Sequence, residues 1–155
     1  MRDPAIRPRT LAPPPLVYAT TLYAAWWLEQ RHSLAFDQEP VANFIGWTLI
    51  GIGLAGFAWA LSAIWVHRTT VNPYKAASNL VTHGPFARSR NPIYVSDWFV
   101  YAGITLLLGT AWPLLLAPVV WGVMRYGVIA HEEAHLQAKF GDEYRSYCHT
   151  VKRWL

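Results

Sequence analysis

Long apolar stretches alternate with short polar ones along the chain, and the spacing predicts helices rather than strands. Residues 16–28 form the first apolar stretch, entered after Pro13, Pro14 and Pro15 and leaving through "WWLEQ". It is short, since roughly 20 residues cross a hydrocarbon core. Its basic approach, Arg2, Arg7 and Arg9, also suits a cleaved signal peptide. The bulky "AAWWLEQ" offers no small-residue cleavage site, so a retained helix is expected. Residues 41–66 carry no charge and predict a membrane-crossing helix. Within it, "GIGLAG" places small residues at helical spacing, a pattern that permits close packing of a second helix.

Residues 98–124 are again free of charge. "GTAWP" at 109–113 supplies turn residues and a proline suited to a first helical turn. Charge chooses between one long helix and a hairpin. Arg68, Lys75, Arg88 and Arg90 precede this stretch, and Arg125, Lys139, Arg145, Lys152 and Arg153 follow it. Basic flanks stay on the cytoplasmic side, so both ends share a side and an even number of crossings joins them. A hairpin of residues 92–108 and 113–130 is expected. The loop "EQRHSLAFDQEP" then lies outside. The expected fold is an all-α integral membrane protein with four transmembrane helices, both termini inside, and a helical C-terminal cytoplasmic segment. One domain is expected over 1–155, with a two-helix part, 1–69, and a polar-loop part, 70–155.

Composition agrees with a bilayer setting. The 155 residues are 54% hydrophobic and 14% charged, against about 25% charged in ordinary soluble domains. Nine tryptophans and eight tyrosines suit the membrane–water interface. The single cysteine, Cys148, excludes an intramolecular disulfide and any multi-cysteine metal site. The net charge of +4 flanks apolar segments and forms no stripe of its own, so nucleic-acid binding is not expected.

Two polar segments carry candidate chemistry. "HEEAH", residues 131–135, reads as H-E-x-x-H, the core of a zinc protease site. The extension that supplies a third histidine fails: Ala138 stands at its glycine and Gly141 at its histidine. No metal is expected. Arg125 and Glu132 lie two helical turns apart, about 10 Å, and are expected to address two ends of one polar ligand. In "LVTHGPFARSRNPIY", residues 80–94, Gly84-Pro85 and Asn91-Pro92 mark rigid turns. Asn91 is expected to cap the helix that Pro92 starts. Phe86 and Tyr94 offer aromatic faces for a flat base or a cation.

Together, this loop and the later "EEAHLQAKFGDEYRSYCHTVKRW" resemble the isoprenylcysteine carboxyl methyltransferase family, which groups with the membrane phospholipid methyltransferases. The match rests on Leu80, Val81, Gly84, Phe86, Arg90, Asn91, Pro92 and Tyr94, then on Glu132, Glu133, Leu136, Phe140, Gly141, Tyr144 and Tyr147. The resemblance covers about the C-terminal half. It implies an S-adenosyl-L-methionine-dependent methyltransferase in the inner or plasma membrane, with its site facing the cytoplasm and a lipophilic acceptor entering from the bilayer. It further implies cofactor contacts at Ser78, Asn79, Leu80, Val81, Phe86, Arg90, Asn91, Pro92, Ile93, Tyr94 and Glu132, with Arg125 and Glu132 as catalytic residues. Asn91 replaces the histidine of the carboxyl methyltransferases, and Val128 replaces an arginine that handles their substrate carboxylate. Arg125, one turn earlier, is the expected substitute. A phospholipid or amine N-methyltransferase, an NADPH-dependent membrane reductase and the zinc protease stand as alternatives.

Overall fold

The computed structural model describes residues 12–67 and 78–155. Arg2, Arg7, Arg9, Arg68 and Lys75, which helped to orient the chain above, lie outside the described residues. The described part is helical and contains no β-strand: α1 is Pro14–Glu29, α2 Pro40–Val66, α3 Pro92–Leu108, α4 Trp112–Gly122 and α5 Ala130–Thr150. A short 3-10 turn, Gly84–Ala87, precedes α3, and a π-helical segment, Val123–Ile129, joins α4 to α5. Among the described residues, two helical stretches are long and apolar enough to cross a membrane: α2, and the continuous run from Trp112 into α5. Phe44, Trp47 and Trp65 of α2 are exposed, an apolar surface that water tolerates poorly and lipid accepts.

Local chemistry explains the boundaries. Prolines occupy the first turns of α1 to α4, where a missing N–H costs no helical hydrogen bond. The expected hairpin is present. α3 ends on Gly109, which adopts the left-handed conformation at φ 64°, and Trp112 restarts the helix. The return helix differs from the expectation, because it does not stop near residue 130 but continues to Thr150. Two irregularities shape it. Ala130 N–H reaches back five residues to Arg125, the mark of a π turn. Gly141 breaks α5 at φ 53°, ψ −119°.

The helices associate in pairs, α2 on α3 and α1 on α4. Glycines set the first pair. A Cβ on Gly53 would lie 2.7 Å from the Ser96 carbonyl oxygen, and one on Gly103 would lie 2.5 Å from that of Gly46. The expectation for "GIGLAG" therefore holds at Gly53 and Gly56, whereas Gly51 has open space around it. Tyr18, Tyr94, Tyr101, Met124 and Val128 build the main core. A second cluster joins Tyr144, Tyr147 and Val151 to Leu80, Leu136 and Phe140. It forms because the break at Gly141 turns the last helical stretch back onto the first. No side chain crowds Gly141, so only its backbone angles demand glycine. Gly141→Ala should cost about 1–3 kcal/mol, read as a lower apparent melting temperature in detergent, with earlier proteolysis near Tyr144.

Connections gather at two opposite ends. At one end, Trp112 Nε1 donates to the His32 carbonyl at 2.7 Å, and Gln38 Nε2 donates to that of Leu107. The α1–α2 connection thus meets the α3–α4 turn. At the other end, the loop before α3 meets the C-terminal tail.

Candidate functional site

The loop before α3 is held by the tail through backbone groups. Arg90 N–H donates to the Lys152 carbonyl at 2.9 Å. Ser89 Oγ and Asn91 Nδ2 donate to the Arg153 carbonyl, at 3.2 and 3.0 Å. Asn91 is buried and precedes Pro92, yet its side chain does not cap α3 as expected. The tail carbonyl claims it instead. Tyr147 Oη donates to the Phe86 carbonyl at 2.6 Å, and Asn79 Nδ2 to that of His67 at 2.7 Å.

The two adjacent glutamates at the start of α5 take different roles. Glu133 accepts a two-pronged contact from Arg153, at 2.9 and 2.6 Å, with Arg90 3.6 Å away. Such planar forks fix geometry as well as charge. Arg90 also donates to Cys148 Sγ. Arg90 and Glu133 are thereby engaged in holding the loop on the tail. Glu132 turns the other way. The Tyr94 hydroxyl lies 2.8 and 2.9 Å from its two carboxylate oxygens and donates to them. Burial pushes the Glu132 pKa up to about 7; the Tyr94 hydrogen bond opposes that rise and neighbouring Glu133 adds to it.

Three residues along from Glu132, on the same helical face, lies His135. It is 7% exposed, and neither ring nitrogen has a hydrogen-bond partner. Burial, and secondarily Lys139, holds its pKa below the usual histidine value. His131 is exposed. Among the described residues no group of three His, Cys, Asp or Glu side chains is placed to hold a metal ion. The H-E-x-x-H motif did not single out His135 as a buried residue. Its signal was the three-residue spacing from Glu132, which alone does not reveal burial.

Tyr94 and Glu132 come together from positions 38 apart, Leu80 and Phe86 pack or bond on the same loop–tail assembly, and Val81 is buried. Arg125 lies elsewhere. Its guanidinium sits 5.3 Å from the Trp121 ring centre and 5.5 Å from that of Tyr126, both exposed side chains. The π segment between Arg125 and Glu132 takes more residues per turn than an ideal helix, so their seven-residue spacing alone does not set a common face. Buried Val128, not Arg125, faces the core.

A cavity of about 430 Å3 opens beside this assembly, walled by α1, α2 and α3. Tyr18, Phe57, Ile93, Tyr94, Asp97 and Ile104 are among its lining residues. Asp97 escaped the sequence reading, which took the charge-free stretch to begin one residue later. The available signal was a lone carboxylate in an apolar helix.

The phospholipid methyltransferase family profile matches residues 41–143, about two thirds of the chain. The chain belongs to the phospholipid methyltransferase family. Membership makes it a membrane methyltransferase, hence an enzyme. An uncharacterized protein of Haemophilus influenzae is 40% identical over 63 residues, which are 41% of this chain and the whole of that protein. No solved structure matches. The matched region contains Tyr94, Asp97, Glu132 and His135; α1 and the tail from Tyr144 lie outside it.

The residues at the Glu132 end suit S-adenosylmethionine on their chemistry. A half-buried carboxylate suits a cation, and the unpartnered nitrogens of His135 suit a polar ligand that would satisfy them.

Proposed function

We propose that this protein is an S-adenosylmethionine-dependent methyltransferase acting on a lipophilic acceptor held in the membrane. The observation that carries the reading is the Tyr94–Glu132 pair, with buried, unpartnered His135 beside it. Bound there, the cofactor supplies an electrophilic methyl group on a sulfonium. Glu132 holds the cofactor's positive charge, and Tyr94 fixes the rotamer of that carboxylate. Phe86, Leu80 and Val81 provide apolar surface for its base, while Ser78, Asn79, Asn91, Pro92 and Ile93 complete the wall. Arg90 acts indirectly, by tying the loop to α5 through Glu133. Arg125, on an exposed aromatic edge, attracts anionic lipid-borne acceptors on their approach and does not line the cavity beside Tyr94. The protein's contribution to rate is then alignment of nucleophile, methyl carbon and sulfur.

The topology that goes with this reading has four crossings, both termini cytoplasmic, and the loop–tail assembly on the cytoplasmic face. The grouping of connections at two opposite ends supports it. The acceptor classes in view are a prenylcysteine-like carboxylate and a phospholipid-like amine.

Thermal unfolding in detergent with S-adenosylmethionine, S-adenosylhomocysteine, NADPH or zinc tests the assignment, because a ligand selective for the native state raises its apparent stability. Stabilisation by the first two is expected. Stabilisation by NADPH or zinc alone would replace the methyltransferase chemistry with a reductase or a metal enzyme.

A further inference from the structure

The cavity between α1, α2 and α3 has an uneven lining. Most of its wall is apolar, including Leu54, Phe57 and Ile104. Polar groups are few: Asp97 and the hydroxyls of Tyr18, Tyr94 and Tyr101, the last of which donates to the Pro113 carbonyl. Tyr18 is 9% exposed, and its hydroxyl has no hydrogen-bond partner. Its ring packs perpendicular to Trp98 and at a 55° tilt to Tyr101, each with its centre 6.0 Å away. A rigid, unpartnered hydroxyl in an apolar pocket is a group awaiting a ligand. The volume falls within the range of small-molecule sites, roughly 300–1,000 Å3. α1 packs mainly on α4, and α2 mainly on α3, so the cavity occupies the seam between the two pairs.

One residue connects this cavity to the proposed cofactor site. Tyr94 lines the cavity and donates its hydroxyl to Glu132. Asp97 lies three residues further along α3, on the same face. Resting on the methyltransferase reading above, we infer that this cavity is the acceptor subsite and that Asp97 selects acceptors whose nucleophilic head carries a proton, an amine or a hydroxyl, over a carboxylate. The apolar wall takes the chain of the acceptor, and Tyr18 and Asp97 bind its head.

The chemistry of transfer gives Asp97 its role. The acceptor's lone pair forms the new bond to the methyl carbon, and the electrons of the broken carbon–sulfur bond stay on sulfur. An amine or hydroxyl must also shed a proton, and the Asp97 carboxylate receives it. A carboxylate acceptor has no proton to give and would bring a second negative charge against Asp97 in a pocket of low polarity.

Decylamine, decanol and decanoate, each below its micelle concentration, share one chain and differ in the head. Their binding is read by thermal shift on the full chain in detergent, with S-adenosylhomocysteine affinity measured by calorimetry in parallel. Wild type should bind decylamine and decanol at least tenfold more tightly than decanoate. Asp97→Asn should bring decylamine and decanoate within twofold of each other, while Asp97→Glu keeps the preference. Ile104→Trp, which fills the cavity, should weaken all three chains and leave S-adenosylhomocysteine affinity within threefold. Decanoate binding as tightly as decylamine, a preference that survives Asp97→Asn, or undiminished binding of the three chains to Ile104→Trp, overturns the assignment. Absence of S-adenosylhomocysteine binding overturns the methyltransferase reading instead, and leaves the preference among heads readable.

Discussion

Glu132→Gln should weaken S-adenosylhomocysteine binding about 10- to 100-fold by calorimetry, the loss expected when a charge-assisted contact worth about 1.5–3 kcal/mol is removed. The substitution keeps size and hydrogen-bonding capacity, so the Tyr94 contact survives in neutral form and the fold should persist. Tyr94→Phe should cost less, because it frees the carboxylate's rotamer without removing its charge. Acidity supplies an independent check. Burial raises the Glu132 pKa from 4.5 to about 7. A carboxyl with a raised folded-state pKa contributes stability that is complete below its unfolded value and lost as pH rises through the folded one. The unliganded protein should therefore lose stability between about pH 4.5 and 7. Cofactor binding runs the other way, since only the ionised form holds a cation. Its stabilising effect should grow as pH rises towards about 7 and level off above it. Glu132→Gln should flatten both trends; a mutant that keeps either slope would place the titration on another group.

Gly103→Leu should be the most damaging single change in the helix pair. A Cβ there meets the Gly46 carbonyl oxygen at 2.5 Å and Ile50 Cγ1 at 2.7 Å. One obstacle is backbone and cannot rotate aside. α2 and α3 must separate, and overpacking of this kind costs about 1–3 kcal/mol or more. An apparent melting temperature lower by about 3–10 °C is expected in detergent. Gly51→Leu is the matched control. Gly51 lies on the same helix with nothing within 4 Å, so the added side chain should reach only lipid or detergent, and the melting temperature should hold within about 2 °C. Equal damage at both sites would show that glycine content of α2, rather than contact with α3, governs stability.

Much of the architecture was legible from local chemistry. The prolines at helix starts, Gly109 after α3 and the uncharged stretches placed α2 and α3 almost to the residue. The loop and "EEAHL" motifs pointed to the family and put Tyr94 and Glu132 among the expected contacts of one cofactor. The failures share a cause, which is that each depended on what a side chain meets across the fold. Asn91 is a good cap by type, but a carbonyl 62 positions away takes its amide. His135 entered only as half of a failed zinc motif, and it is buried without partners. Asp97 became significant only when α1 and α2 closed a cavity around it.

Sequence by itself determined the helices, their order and the family, because hydrophobic runs, prolines and glycines act over a few residues. Tertiary structure decided which glutamate faces the proposed cofactor site and which ties down the tail. Glu132 and Glu133 are identical in type and adjacent in the chain. One residue of helix turns them about 100° apart, so one meets Tyr94 and the other meets Arg153.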